Sequence, residues 1–275
     1  MDAPRLVQID LDALWEPLAV GLQRAGVFAG LGINAANDPR LVNHRLPGSI
    51  KMIFVPDAIT DEQLAECKHE FGLWILGNAL REALEALETS LENVFRACSF
   101  VAAAMGKPVA IETAAKAFVN GGIGKRLKLL QAHFGIDSDR RIHLQSIVNL
   151  RNCLTHRRGF VAERDCNEPG RLLLKYQRLK FGIQRPNGEI VELPEEITAP
   201  IHVDVPGSWM VMQYVEAEKP FPLGARVLLS VPEMRDILFT FDRVFREMKP
   251  RVVEHFRAMG VPINEKLAGR NDEPA

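Results

Sequence analysis

The sequence predicts a mainly α-helical protein with a β insertion, an α+β fold, on three observations. Apolar residues recur at steps of three and four from about residue 61 to 105, the spacing of an amphipathic helix. After Gly159 this pattern gives way to short alternating stretches separated by turn residues, which read as a small antiparallel β element. A second helical pattern, with its own start signal, returns at Ser230.

In chain order, residues 1–56 read as an N-terminal segment that is partly irregular. Leu11 to Ala25 can form a helix, whereas the Gly and Pro content from Gly26 to Pro56 predicts loops and one short strand, Ile50 to Val55. Residues 57–159 form the helical core. Thr60 and Gln63 make a capping box, Asp61 and Glu62 add negative charge to the first turn, and Gly106 and Pro108 end the long helix. Shorter helices follow over Ile111 to Asn120 and Gly124 to Phe134. The next, capped by Asp137 or Ser138, runs through Ile142, Ile147 and Leu154 to Gly159, the residue best suited to a left-handed helix end.

Residues 160–229 carry the β insertion. Its strands are Leu172 to Tyr176, Lys180 to Gln184, Ile190 to Leu193, Ile201 to Val205 and Trp209 to Val215, with Ala225 to Leu229 as a further candidate. Asn187-Gly188 marks a hairpin turn among them. Residues 230–262 form a C-terminal helix packed on the core, opened by Ser230-Val231-Pro232-Glu233 and stopped at Gly260 and Pro262. Residues 263–275 read as a disordered tail.

With 47% hydrophobic and 25% charged residues the chain can build a core, so disorder is not the default. Its apolar runs are much shorter than the roughly 20 residues that cross a bilayer, and its first ten residues do not resemble a secretory leader. The expectation is a cytoplasmic protein without a membrane partner. Cys67, Cys98, Cys153 and Cys166 are scattered, which argues against a disulfide framework or a zinc site, and no cofactor is indicated. Gly30-Leu31-Gly32 lacks the strand-turn-helix context of a dinucleotide-binding turn, and Gly121 to Arg126 lacks the spacing of a P-loop, so the latter reads as a helix break. Trp15, Trp74 and Trp209 sit in unrelated contexts and read as core or interface packing.

A net charge of −1 hides an uneven distribution. Between Gly124 and Arg158 stand eight Lys or Arg and two acids, while Asp57 to Met105 holds nine acids and three bases. The two segments can attract each other, or the basic one can offer a positive groove to a phosphodiester backbone.

Within the basic segment lies Asn149-Leu150-Arg151-Asn152-Cys153-Leu154-Thr155-His156-Arg157-Arg158-Gly159. This stretch resembles the signature of HEPN-like proteins, in which an arginine, often followed by asparagine, precedes a histidine near a helix end. The resemblance spans about residues 60–160 as a helical arrangement and about a dozen residues as a motif. It implies a HEPN-like helical bundle, commonly a homodimer with the motif at the dimer cleft. It also implies metal-independent RNA cleavage of the defence or toxin type, in which the ribose 2′-OH attacks the adjacent phosphorus. Under that resemblance Arg151, Asn152 and His156 are the catalytic residues. His156 moves the proton, Arg151 stabilises charge on the phosphoryl oxygens, and Asn152 orients the ring or the phosphate. Arg140, Arg141, Arg157 and Arg158 supply attraction to the RNA backbone. RNA, a second copy and an antitoxin or regulator are the implied partners. In toxins held by a nucleotidyltransferase antitoxin a tyrosine commonly follows two residues after the histidine; here that position is Arg158, so such control is not supported.

Helix geometry bears on this. At about 100° per residue, Asn152 and His156 share a face, whereas Arg151 lies about 140° from His156. The alternative is a noncatalytic HEPN-like module for dimerisation or nucleic-acid binding. In it Asn152 and His156 cap the helix end, and Arg151 pairs with an acid of the long helix such as Glu82 or Glu85.

Overall fold

The computed structural model describes residues 9–44, 59–106, 111–194 and 205–262. Their architecture is mainly α with a three-stranded antiparallel sheet. The helices are α1 (Leu11–Asn37), α2 (Asp61–Ala104), α3 (Ile111–Val119), α4 (Ile123–Phe134), α5 (Arg141–Arg157) and α6 (Val231–Ala258); the strands are β1 (Arg171–Gln184), β2 (Ile190–Glu192) and β3 (Trp209–Pro222). Both expected capping boxes form: Thr60 Oγ1 accepts from the Gln63 amide and Ser230 Oγ accepts from the Glu233 amide, each at 3.3 Å. Among the described residues no helix is long and apolar enough to cross a membrane.

The N-terminal reading is corrected. The helix that begins at Leu11 does not stop near Ala25 but continues to Asn37 through three further glycines. After Trp15 and Leu18 its buried residues are all small: Gly21, Ala25, Ala29 and Gly32. A Cβ on Gly21 would stand 2.2 Å from Ala86 Cβ, and one on Gly32 would stand 2.6 Å from Ile75 Cγ1. α1 therefore lies antiparallel to α2 at very close approach. Packing against α2 offsets the roughly 1 kcal/mol that each interior glycine costs a helix. Gly21→Ala is expected to destabilise the fold by about 1–3 kcal/mol through overpacking. Gly30→Ala, with nothing within 4 Å, should instead stabilise it by about 0.5–1 kcal/mol. Equal shifts of the two variants in chemical denaturation would refute this account of the seam. The expected strand Ile50 to Val55 and the tail lie outside the described residues.

The β element shares the core of the helices. Leu172, Leu174, Tyr176 and Phe221 belong to the same buried cluster as Leu18, Leu80, Leu150 and Phe241. The sheet order is β2-β1-β3, with β1 and β3 paired from Arg171↔Pro222 to Gln184↔Trp209. Two of the expected strands thus merge into one of 14 residues, and β3 runs seven residues past Val215. Ala225 to Leu229 contributes an isolated bridge between Phe160 and Arg226 rather than a strand, and most of Ile201 to Val205 lies outside the described residues.

One edge of β1 is completed by side chains instead of a fourth strand. The Leu173 amide donates to Asn167 Oδ1 (2.7 Å), that of Lys175 to Ser146 Oγ (2.9 Å) and that of Gln177 to Thr240 Oγ1 (2.8 Å). Beyond these the Leu193 amide reaches the Phe181 carbonyl. Alternate residues of an edge strand turn their amides the same way, so partners from α5 and α6 dock the sheet edge-on against the bundle. Thr240→Val keeps the shape but strands the Gln177 N–H in a buried place. It should cost about 1–3 kcal/mol, read as a lower denaturation midpoint with an unchanged slope.

Candidate functional site

α5 buries Leu144, Ile147, Leu150 and Cys153, and this fixes where its other side chains point. Arg151 turns toward α2. Its Nη2 lies 3.9 Å from Glu88 Oε1, and its buried Nε has no partner. The other Glu88 oxygen stands 3.9 Å from Arg126 Nη2, so one carboxylate serves two guanidiniums. The acid that Arg151 meets is on the long helix as expected, one turn beyond the candidates: Glu82 pairs with Arg24 and Glu85 with Arg81.

Asn152 and His156 lie on another face. With Gln145 and Asn149, joined by a 3.0 Å amide-amide bond, they form a polar stripe along α5. His156 is exposed and Asn152 half-buried. Neither caps the helix end through a hydrogen bond. Arg151 and His156 therefore do not converge within one chain.

Three of the four arginines expected on RNA are engaged internally. Arg140 Nε donates to Glu247 (2.9 Å) and its Nη1 to Glu216 (2.8 Å), beside the His143–Glu216 contact. Arg141 Nε donates to Asp137 (2.6 Å) and its Nη2 to Gln131 (2.5 Å). Arg157 forks onto the buried Asp165 through Nε and Nη2. Burial, and then the Asp165 charge, push the nearby Cys153 thiol up to about 11.

Arg158 differs. It is exposed, and no hydrogen bond or ion pair engages it among the described residues. It is also the only described residue other than glycine with positive φ, at 52°. The left-handed helix end expected at Gly159 thus begins one residue earlier, at a strain of about 1–2 kcal/mol for a side-chain-bearing residue. The chain beyond it is pinned, since the Val227 amide donates to the Gly159 carbonyl (2.8 Å) and the Val161 amide to that of Ala225 (2.9 Å).

Arg158 opens onto a cavity of about 670 Å³ between α2, the end of α5 and the segment around Arg226. Trp74, Arg81, Thr155, Phe160 and Arg226 also line it. Trp74 is 61% and Phe160 51% exposed, so of the two roles expected for Trp74, core or interface packing, the core is excluded. Trp15 is buried, and Trp209 is exposed. Arg226 is held twice by Glu70, at 2.6 and 2.5 Å, and lies over the Phe160 ring at 5.7 Å. That guanidinium holds the Glu70 carboxyl below the usual carboxylate range. The signal for this cavity was present in Trp74, Asn78 and Arg81, spaced by four and three residues on one face of α2. Phe160 and Arg226 could not be joined to them without the fold. Among the described residues no three His, Cys, Asp or Glu side chains gather as they would around a metal ion.

No family model, no curated protein and no solved structure matches this chain.

Proposed function

We propose that this chain is a HEPN-like, noncatalytic module that binds RNA. The observation that carries the reading is the direction of Arg151, which faces Glu88 on α2 while His156 is exposed about 140° away around the helix. Acid-base cleavage needs a proton-transfer group and a charge-stabilising group on one phosphate, and one chain does not supply both there. Binding needs less. The basic segment ends at Arg158, whose unpaired guanidinium stands beside exposed aromatic rings, the combination that holds single strands by charge and stacking.

A second reading, a metal-independent endoribonuclease of the defence or toxin type, is favoured by Asn152 and His156, which share one polar stripe and have no partner among the described residues. A homodimer joined along α5 would present two such stripes. Arg151 would then leave Glu88, from which 3.9 Å separates it, and an antitoxin or regulator would be the expected counterpart.

Single-stranded RNA incubated in EDTA with wild type, Arg151→Ala, His156→Ala and Arg158→Gly separates the two. The expected result is a salt-sensitive mobility shift, weakened about tenfold in Arg158→Gly by loss of a phosphate contact, with intact RNA in every lane. Fragments ending in a 2′,3′-cyclic phosphate, made by wild type and absent with both Arg151→Ala and His156→Ala, would overturn the noncatalytic reading.

A further inference from the structure

The cavity beside Arg158 has walls of three chemical kinds. Trp74, on α2, and Phe160, just past the end of α5, offer exposed flat rings. Among the described residues the Arg158 guanidinium has no partner, and Arg81 Nε stands a loose 3.6 Å from Glu85 in a half-exposed pair, so both can turn to an anion. Asn78 donates its Nδ2 to the Trp74 carbonyl at 2.8 Å, which leaves its Oδ1 to accept from a ligand. Arg226, committed to Glu70 and laid over Phe160, orients that ring, and its charge cancels that of Glu70.

On one side of the cavity α2 and α5 come close together, where a Cβ on Gly77 would lie 3.8 Å from Leu154 Cβ. A volume of about 670 Å³ is that of a small-ligand site. A cavity of this size has room for one nucleotide unit of a strand or for a free nucleotide.

We propose that this recess holds a single phosphate-bearing nucleotide, its base stacked on Trp74 and Phe160 and its phosphate on Arg158 and Arg81. The ligand class rests on the RNA-binding reading, and two sources share its chemistry: the phosphorylated 5′ end of an RNA strand and a free nucleoside monophosphate. The left-handed Arg158 fits this role. A glycine there would relax the backbone, and a strained side chain that lines a cavity is the kind of outlier that marks a ligand site.

That strain gives a clean test. Arg158→Gly is expected to keep or raise the melting temperature while it weakens ligand binding about tenfold, so lost binding cannot be ascribed to unfolding. Trp74→Leu should weaken binding by about the same factor through lost stacking. The probes are AMP, followed by isothermal titration calorimetry, and one RNA 12-mer carrying either a 5′-phosphate or a 5′-hydroxyl, followed by anisotropy. Preference for the 5′-phosphate strand, competed by AMP and lost in both variants, supports the recess with an RNA end as its source. AMP binding that needs Arg158 and Trp74, without RNA binding, supports it with a free nucleotide as the source and removes the RNA-binding reading. RNA binding that ignores the 5′ group, AMP and both variants overturns the recess and leaves that reading standing. Binding of neither probe overturns both.

Discussion

Asp165→Ala is expected to remove about 3–5 kcal/mol of folding stability, the usual result of taking away one partner of a buried ion pair. The Asp165 side chain is 2% and that of Arg157 14% exposed. Asp165 accepts Nε of Arg157 at 2.5 Å, a second bond from Nη2, and the Ala162 amide at 2.9 Å. Alanine would leave a guanidinium largely out of water with no counter-charge, and an amide without its acceptor. The negative end of the α5 dipole offsets only a small part of this. Replacing both members together, Arg157→Met with Asp165→Leu, should recover most of the loss, because no charge is then stranded. Urea denaturation of the single and paired variants checks this, and a single-variant loss under about 1 kcal/mol would place the pair with exposed salt bridges. Under the proposed RNA-binding reading, Arg157→Ala should reduce binding only so far as it unfolds the end of α5, unlike Arg158→Gly.

Arg126→Met is expected to cost about 3 kcal/mol, from hydrogen bonds of a charged donor worth about 1.5–3 kcal/mol apiece and partly offset by retained packing of the stem. Arg126 is 7% exposed. Its Nε donates to the Gly121 carbonyl (2.8 Å), its Nη1 to that of Glu88 (2.8 Å) and its Nη2 to that of Val119 (3.1 Å). It lies 5.5 Å from the centre of the Phe118 ring. One side chain thus satisfies the carbonyls where α3 ends and α2 passes. Arg126→Lys should recover less than half the loss, because an ammonium cannot reproduce three donors in a planar fork. Full recovery by lysine in a denaturation series would show that charge, not the fork, matters. Glu88 would also keep only Arg151 as its guanidinium neighbour.

Some of this was legible in the sequence because it is written locally. The capping boxes at Thr60 and Ser230 form as read, α2 ends where Gly106 and Pro108 predict, and Gly188 takes φ 85° in the expected Asn-Gly turn. The second half of α1 was not legible. Gly26, Gly30 and Gly32 lower helix propensity, and the close contact of α2 that holds the helix together lies more than 40 residues away. β1 was divided at Gln177-Arg178-Leu179 for the same reason. The hydroxyl that holds the Gln177 amide belongs to Thr240, 63 positions along the chain.

The candidate site divides along the same line. By itself the sequence determined which side chains share a face of α5, that Asn152 and His156 lie together and Arg151 apart, and that basic residues crowd one segment, because helix geometry and composition act over a few residues. Only the tertiary structure decided that Glu88 meets Arg151, that Asp165 holds Arg157, and that Arg158 is left to face Trp74 and Phe160 across a cavity. An ion pair depends on which distant carboxylate the packing brings within about 4 Å, and a cavity depends on the space that several elements leave between them.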